Sequence, residues 1–463
     1  MIRFHRFIWL PVMALLLSGC GSMATRKGFY EPISAELLSG RADSAAAMIE
    51  SARQDGKYGD KDRLVYFLDA GFLNHYAGRW ESSNQKLELA DIAAEELFTK
   101  SISRAATSML LNDNALEYAG EDYEILYSDL ISALNYLQLG DYDGAFVEIR
   151  QANLKLNNLE DKYARAAREL ERGSPDDTAR IQIDYDIDKV RFHNDAFARW
   201  LSMHMYAADG KWDDANIDYN LLLAAFKEQP HIYGFDPPQV RYEADDGALL
   251  SVVALTGLAP VKEALNLRIR TDKDLDLVQV LYDGPGKEDT EYAHFPIDVG
   301  ADFYFKFAIP QLADRPSQVA TLEVLVDGMP VGHLRLIEDV GSVARETFRA
   351  KQSMILIRTV ARAVVKGLAA HKLKKEADTG GLAGWLKKAA IDVATDLTEN
   401  ADLRCSRFLP GRIYIGDFEL PPGVHDVELR YLDRNGHQIG GESFPGFKVS
   451  PEGLNLLSAS FQG

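Results

Sequence analysis

Residues 140–152, GDYDGAFVEIRQA, carry an aromatic two places after a glycine and then small residues at helical spacing. The phrase returns as GRWESSNQKLELA at 78–90 and as GKWDDANIDYNLL at 210–222. Aligned on Gly78, Gly140 and Gly210, the aromatics Trp80, Tyr142 and Trp212 share a column. Ser83, Ala145 and Ala215 form the next, then Leu87, Ile149 and Tyr219, then Ala90, Ala152 and Leu222. Upstream, Gly71, Ala133 and Met203 stand seven residues before each glycine, with Asn74, Tyr136 and Tyr206 three residues later. The pattern predicts pairs of antiparallel helices. Glycine permits the tight turn, small residues let the second helix approach the first, and large ones fill the gap to the next pair.

This sequence of helix, turn and helix resembles the tetratricopeptide repeat. A weaker fourth copy starts at Gly40, GRADSAAAMIESA, with Ala45, Ile49 and Ala52 in register and alanine in place of the aromatic. The glycines are 38, 62 and 70 residues apart, against about 34 in a regular array. Insertions or extra helices are therefore expected near 100–122 and 156–192, the latter reading as a charged helix, a turn at Ser174-Pro175 and another helix. In such arrays the first helix of each pair faces a concave groove, through residues thirteen, ten, six and three places before the turn glycine. Those positions are Val65, Leu68, Phe72 and His75; Tyr127, Leu130, Leu134 and Leu137; Phe197, Trp200, His204 and Ala207. A face so apolar implies either a groove occupied by a partner, with Phe72, His75, Tyr127, Leu134, Leu137, Phe197, Trp200 and His204 in contact, or one filled by the rest of the chain.

Beyond Phe235-Asp236-Pro237-Pro238 the character changes. ALLSVVALTG, LNLRIR, LDLVQVLYDG, ADFYFKFAIP, ATLEVLVDG and VGHLRLIED are short β-rich runs, and GRIYIGDFELPPGVHDVELRYLDRNGHQI adds two strands and a hairpin signal at Asn435-Gly436. The whole reads as an α + β multidomain chain: an irregular tetratricopeptide-like helical array over 30–238, then a β-sandwich-like domain over 239–463 with a helical insertion at about 342–398. Residues 343–375 of that insertion carry nine basic side chains and one acid. Arg358, Arg362 and Lys366 share a helix face beside Ile355, Ile357, Val360, Val364 and Leu368. They make either a membrane or anion contact, or the solvated edge of a core helix.

The first residues, MIRFHRFIWLPVMALLLSGC, have Arg3 and Arg6, an apolar run from Phe7 to Leu17 and small residues before a cysteine. The run of eleven is too short to span a bilayer and fits a secretory signal. Leu17-Ser18-Gly19-Cys20 resembles a bacterial lipobox, which implies removal of 1–19 and lipidation of Cys20. The resemblance, with Gly21 rather than aspartate next, implies an outer-membrane anchor facing the periplasm. Residues 20–29 then form a lipidated tether that reaches at most ~30 Å. Residues 21–240 hold 38 acidic and 23 basic side chains, a poor balance for nucleic acid. Lipidation of Cys20 would leave Cys405 alone, without an intramolecular disulfide.

The mature chain resembles an uncharacterised family of proteobacterial outer-membrane lipoproteins with a tetratricopeptide-like front half. The resemblance rests on AGEDYEILYSDLISALNYLQLGDYDGAFVEIRQ at 119–151, GALLSVVALTGLAPVKEALNLRI at 247–269, ARETFRAKQSMILIRTVARAVVKG at 344–367 and TENADLRCSRFLP at 398–410. The family's last motif commonly contains tryptophan, where this chain has Cys405-Ser406-Arg407. The resemblance implies cell-envelope company, including other outer-membrane lipoproteins, and no established activity.

No G-x-S-x-G, phosphate loop or H-E-x-x-H occurs. Asp272, Asp274 and Asp276, and Asp184, Asp186 and Asp188, alternate like the start of a calcium loop but lack its glycine and final glutamate. No cofactor, metal site or catalytic residue is expected. The strongest signals favour a periplasmic scaffold that binds envelope proteins and touches the membrane through its lipid. A peptidoglycan-binding or membrane-surface factor rests on the basic helix and the anchor. A hydrolase-type enzyme lacks a nucleophile and base that can be named.

Overall fold

A computed structural model describes residues 27–108, 116–159, 161–165, 190–284, 286–287, 290–296, 302, 304–376 and 400–463. Cys20, the signal segment, most of the tether, the turn at 174–175 and the acidic triplet at 184–188 lie outside the described residues.

The helices pair as the repeated phrase requires. They are α1 (Lys27–Leu38), α2 (Ala42–Gln54), α3 (Arg63–Tyr76), α4 (Trp80–Ser108), α5 (Asp122–Gln138), α6 (Tyr142–Asn157), α7 (Ala196–Ala208) and α8 (Trp212–Glu228). Gly40, Gly78, Gly140 and Gly210 all take positive φ, between 69° and 76°. Each turn repeats the same two backbone bonds. The glycine N–H donates three residues back, as Gly78 to His75 at 2.9 Å, and the next N–H five back, as Arg79 to Asn74 at 2.9 Å. This left-handed helix stop satisfies carbonyls that the helix end would otherwise leave unpaired. The Gly40 turn has both bonds, Gly40 N to the Leu37 carbonyl at 2.9 Å and Arg41 N to the Glu36 carbonyl at 3.0 Å, so the weaker copy shares the turn. The small column works as expected: Ser83, Ala145 and Ala215 are fully buried, and Ser83 Oγ donates to the Gly71 carbonyl at 2.8 Å. The aromatic column does not, because Tyr142 and Trp212 are exposed.

Two sheets follow. The first holds seven strands in the order β10-β9-β6-β7-β8-β1-β11. In chain order these are β1 (Ala248–Leu258), β6 (Thr321–Val326), β7 (Met329–Asp339), β8 (Pro410–Leu420), β9 (Gly423–Leu432), β10 (Gln438–Val449) and β11 (Asn455–Phe461). It curls until its edges nearly meet. Ser460 N on β11 donates to Glu442 Oε1 on β10 at 2.9 Å, and the Tyr431 and Phe461 rings stack at 4.7 Å. Leu250, Val252, Leu322, Val324, Val427, Leu429 and Leu457 fill the interior. The second sheet, β4-β3-β2-β5, is built from β2 (Val261–Asp272), β3 (Leu277–Tyr282), β4 (Glu291–Pro296) and β5 (Tyr304–Ala313). The chain enters it from β1 through Ala259-Pro260.

The sandwich expectation is thereby corrected. Each sheet has its own core, and the second packs Leu267, Ile269, Val280, Phe305 and Phe307 against Ile355, Ile357 and Val360 of α9 (Val340–Glu376). Alternation identifies strands but does not say which face meets which element. α9 also corrects the basic-edge reading: Arg362 is buried, with its Nη2 donating to Thr359 Oγ1 at 3.1 Å, and Arg358 is half-buried. α9 packs Ile355, Ile357 and Val360 on the second sheet with Arg362 buried, while Arg345 near its start is exposed. The Lys366 side chain lies outside the described ones.

Helices and first sheet share one apolar core. Phe72, Leu130, Phe197 and Trp200 belong to the same cluster as Val253, Leu255, Ile337, Phe408, Ile413 and Ile415.

Candidate functional site

An open groove on the first helices is not what the chain builds. Val65, Leu68, Phe72, His75, Tyr127, Leu130, Leu134, Phe197, Trp200, His204 and Ala207 are all buried, and Leu137 is half-buried. The covering element is the outer face of the seven-stranded sheet. Trp200 Nε1 reaches Asp417 Oδ2 of β8 at 3.4 Å, and Tyr76 OH donates to the Phe408 carbonyl at 2.8 Å. Of the eight residues expected to contact a partner, Trp200 and His204 meet the sheet directly, whereas His75 bonds Asn135 Oδ1 of α5 at 2.6 Å and Tyr127 donates to Asp195 at 3.1 Å. An alternating strand with both faces buried offers a second apolar face, and β1, buried along nearly its whole length, is such a strand.

The structure also joins three residues that the sequence did not connect. His204 Nε2 lies 2.9 Å from Asp417 Oδ1, and Ser251 Oγ lies 3.3 Å and 3.4 Å from His204 Nδ1 and Nε2. Equal distances to both nitrogens put the hydroxyl off the lone-pair direction of either. All three side chains are also buried. A serine nucleophile needs an aligned base and room for substrate; here the three side chains are buried between helix and sheet, with the hydroxyl aligned on neither nitrogen.

Sequence reading missed the interior carboxylates. Asp69 accepts from Tyr30 OH at 2.9 Å, Tyr58 OH at 3.2 Å, Ser406 Oγ at 3.0 Å and Arg407 N at 3.0 Å. Burial pushes its pKa up to about 6 against those bonds. Glu124 closes a capping box with Glu121 at the start of α5, takes Tyr118 OH at 2.6 Å and Ser406 N at 2.5 Å, and is pushed up to about 7 by burial and by Glu121. Glu121 itself holds the buried Lys262 ammonium and Lys351 Nζ at 2.9 Å. Asp195 caps α7 through Ala198 N at 2.7 Å and accepts from Tyr127 OH at 3.1 Å; burial raises it to about 6. Glu338 accepts from Tyr233 OH at 2.9 Å and is raised well above the carboxylate range by burial and Asp195. The visible signal was an acid inside an apolar helical run, Asp69 in VYFLDAGFL and Asp129 in EILYSDLIS. A charge placed there must find a buried partner.

Segment 402–409 is the hub of these contacts. Arg404 pairs with Asp402 at 2.7 Å and Asp62 at 3.2 Å; Cys405 Sγ accepts from Lys262 N at 3.4 Å; Ser406 bridges Asp69 and Glu124. Burial raises the Cys405 thiol, which keeps it protonated and unreactive. Asp272, of the calcium-like triplet, uses its Oδ1 to accept from Asp274 N at 3.0 Å and Leu275 N at 3.1 Å, a local turn bond.

Large apolar side chains instead reach solvent on the second helices. Leu89 and Ile92 of α4, Val147 and Leu154 of α6, and Trp212 and Ile217 of α8 are exposed. The acids Glu88, Glu95, Asp143, Asp213 and Asp214 on the same helices are exposed too. No family model, curated protein or solved structure matches this chain.

Proposed function

We propose that the protein is a lipid-anchored scaffold of the bacterial outer membrane, facing the periplasm, that binds an envelope protein on the outward side of its tetratricopeptide-like helices. The observation that carries this reading is the division within each helix pair. First helices are spent on the sheet, while second helices keep Ile92, Leu154 and Ile217 more than half exposed. Acidic neighbours on those helices specify the partner's chemistry, an apolar face with a basic rim. The lipobox-like Leu17-Ser18-Gly19-Cys20 supports the address. With Arg362 buried and Arg358 half-buried, a membrane-surface role through α9 has little left to support it.

The test is photocrosslinking in intact cells from a benzoylphenylalanine placed at Ile92, Leu154 or Ile217. All three positions should capture the same protein, and the double change Asp213→Lys, Asp214→Lys should weaken capture. Absence of adducts, or an equal yield of the same adduct from the exposed Leu275 on the second sheet, would end the outward-face reading.

A further inference from the structure

Around segment 405–409 two guanidiniums keep buried donor atoms that have no acceptor among the described residues. Arg407 is 6% exposed; its guanidinium lies 4.6 Å over the Tyr30 ring, and its Nε and Nη2 have no hydrogen-bond partner among the described residues. Asp69 lies within electrostatic reach of Arg407, but its oxygens accept from the two tyrosines, Ser406 and the Arg407 backbone N–H rather than from the guanidinium. Half-buried Arg315 donates Nε to the Ala259 carbonyl at 2.7 Å and leaves a buried Nη2 without a partner among the described residues. Its guanidinium is within electrostatic reach of Arg407, Tyr123 and Tyr76. Tyr123 is 1% exposed, and its hydroxyl has no hydrogen-bond partner among the described residues. Burial and the neighbouring Arg407 lower the Arg315 pKa to about 10, the response of a cation short of negative charge.

Four donor atoms without acceptors on two guanidiniums and a phenol are costly unless something accepts from them. We propose that Arg315, Arg407 and Tyr123 form a binding site for a small oxyanion, phosphate or carboxylate, held where the helices meet the two sheets. Planar guanidinium forks match both chemistries, and Arg315 is the less buried of the two residues. Bound there, the anion would neutralise the arginine pair and fasten segment 405–409 to the helices.

Calorimetric titration and thermal melting of the full chain in detergent, with inorganic phosphate, acetate or chloride at matched ionic strength, test the site. Phosphate or acetate, but not chloride, should raise the melting temperature progressively with concentration. Arg315→Gln should weaken that affinity by about 10- to 100-fold, the loss typical of one hydrogen-bonded charge. Tyr123→Phe, which removes only the free hydroxyl, should weaken it several-fold while leaving the anion-free melting temperature close to wild type. A preference for phosphate over acetate, or the reverse, identifies the anion class. Equal behaviour in all three salts, or an anion response unchanged in both variants, would mean that water alone fills the site and would overturn the proposal.

Discussion

Trp200→Ala perturbs the helix–sheet boundary at its largest side chain. Trp200 is fully buried, stacks on Phe197 at 6.1 Å and meets the His204 ring edge-on at 4.7 Å. Truncation removes the indole and leaves a cavity between α7 and β8, a change that costs about 3–5 kcal/mol. The polar part of the loss is small. Asp417 Oδ2 loses a long 3.4 Å bond but keeps Arg241 N at 3.0 Å. At roughly 2.1 cal/mol/K per residue of unfolding entropy, a chain of this length should lose about 4 °C of melting temperature. Trp212→Ala, at an exposed start of α8, is the control and should cost less than about 1 kcal/mol. Paired thermal melts of the two variants read the difference. If Trp200→Ala melted within a degree of Trp212→Ala, the inner helix face would not be packed as described.

Cys20→Ser should leave an uncleaved precursor or a soluble protein, and normal maturation with outer-membrane fractionation would remove the lipoprotein reading. Lys262→Met strands the buried Glu121 with only the half-exposed Lys351, and should cost about 3–5 kcal/mol in a denaturant titration. Glu338→Gln should cost little stability at pH 7, because burial and Asp195 disfavour the ionised form of Glu338; a loss above about 2 kcal/mol in a denaturant titration would contradict that direction. Glu124 rises from 4.5 to about 7, and Asp69 and Asp195 from 3.8 to about 6, so the folded chain binds these protons more tightly than the unfolded one. Their contribution is fully present below the unfolded values and is lost as pH rises through 6 to 7. His75, lowered to about 4 by burial, acts oppositely: its contribution is present above 6.5 and is lost as pH falls toward 4. Three acids outweigh one histidine, so unfolding free energy should decline between pH 5 and 7.5, less steeply in Glu124→Gln; an incline over that range contradicts the sign.

The helix pairs were legible because a turn glycine and a small-residue column are local demands, met within some forty residues of chain. Gly40 shows the limit of reading by resemblance, since it keeps the turn while losing the aromatic. The aromatic itself was misleading: Tyr142 and Trp212 open the second helices at the surface and pack no core. What covers the first helices was not legible. Both an absent partner and the outer face of a sheet demand the same apolar residues at the same spacing, and only long-range pairing chooses between them. For the same reason strands were found but their assembly was not, with β1 pairing β11 in parallel across more than two hundred residues. Segment 398–410 stood out as a motif, yet its use as a hub for Asp69, Glu124 and Asp62 depends on helices three hundred residues earlier.

Differential scanning calorimetry of the full chain measures cooperation across the helix–sheet boundary. A core shared by Trp200, Phe72, Val253 and Ile415 predicts that helices and seven-stranded sheet melt together, in one transition whose calorimetric and van't Hoff enthalpies agree, and that Trp200→Ala moves that transition whole. Two resolved transitions, with Trp200→Ala shifting only the helical one, would contradict the filled inner face and return the groove to an outside partner.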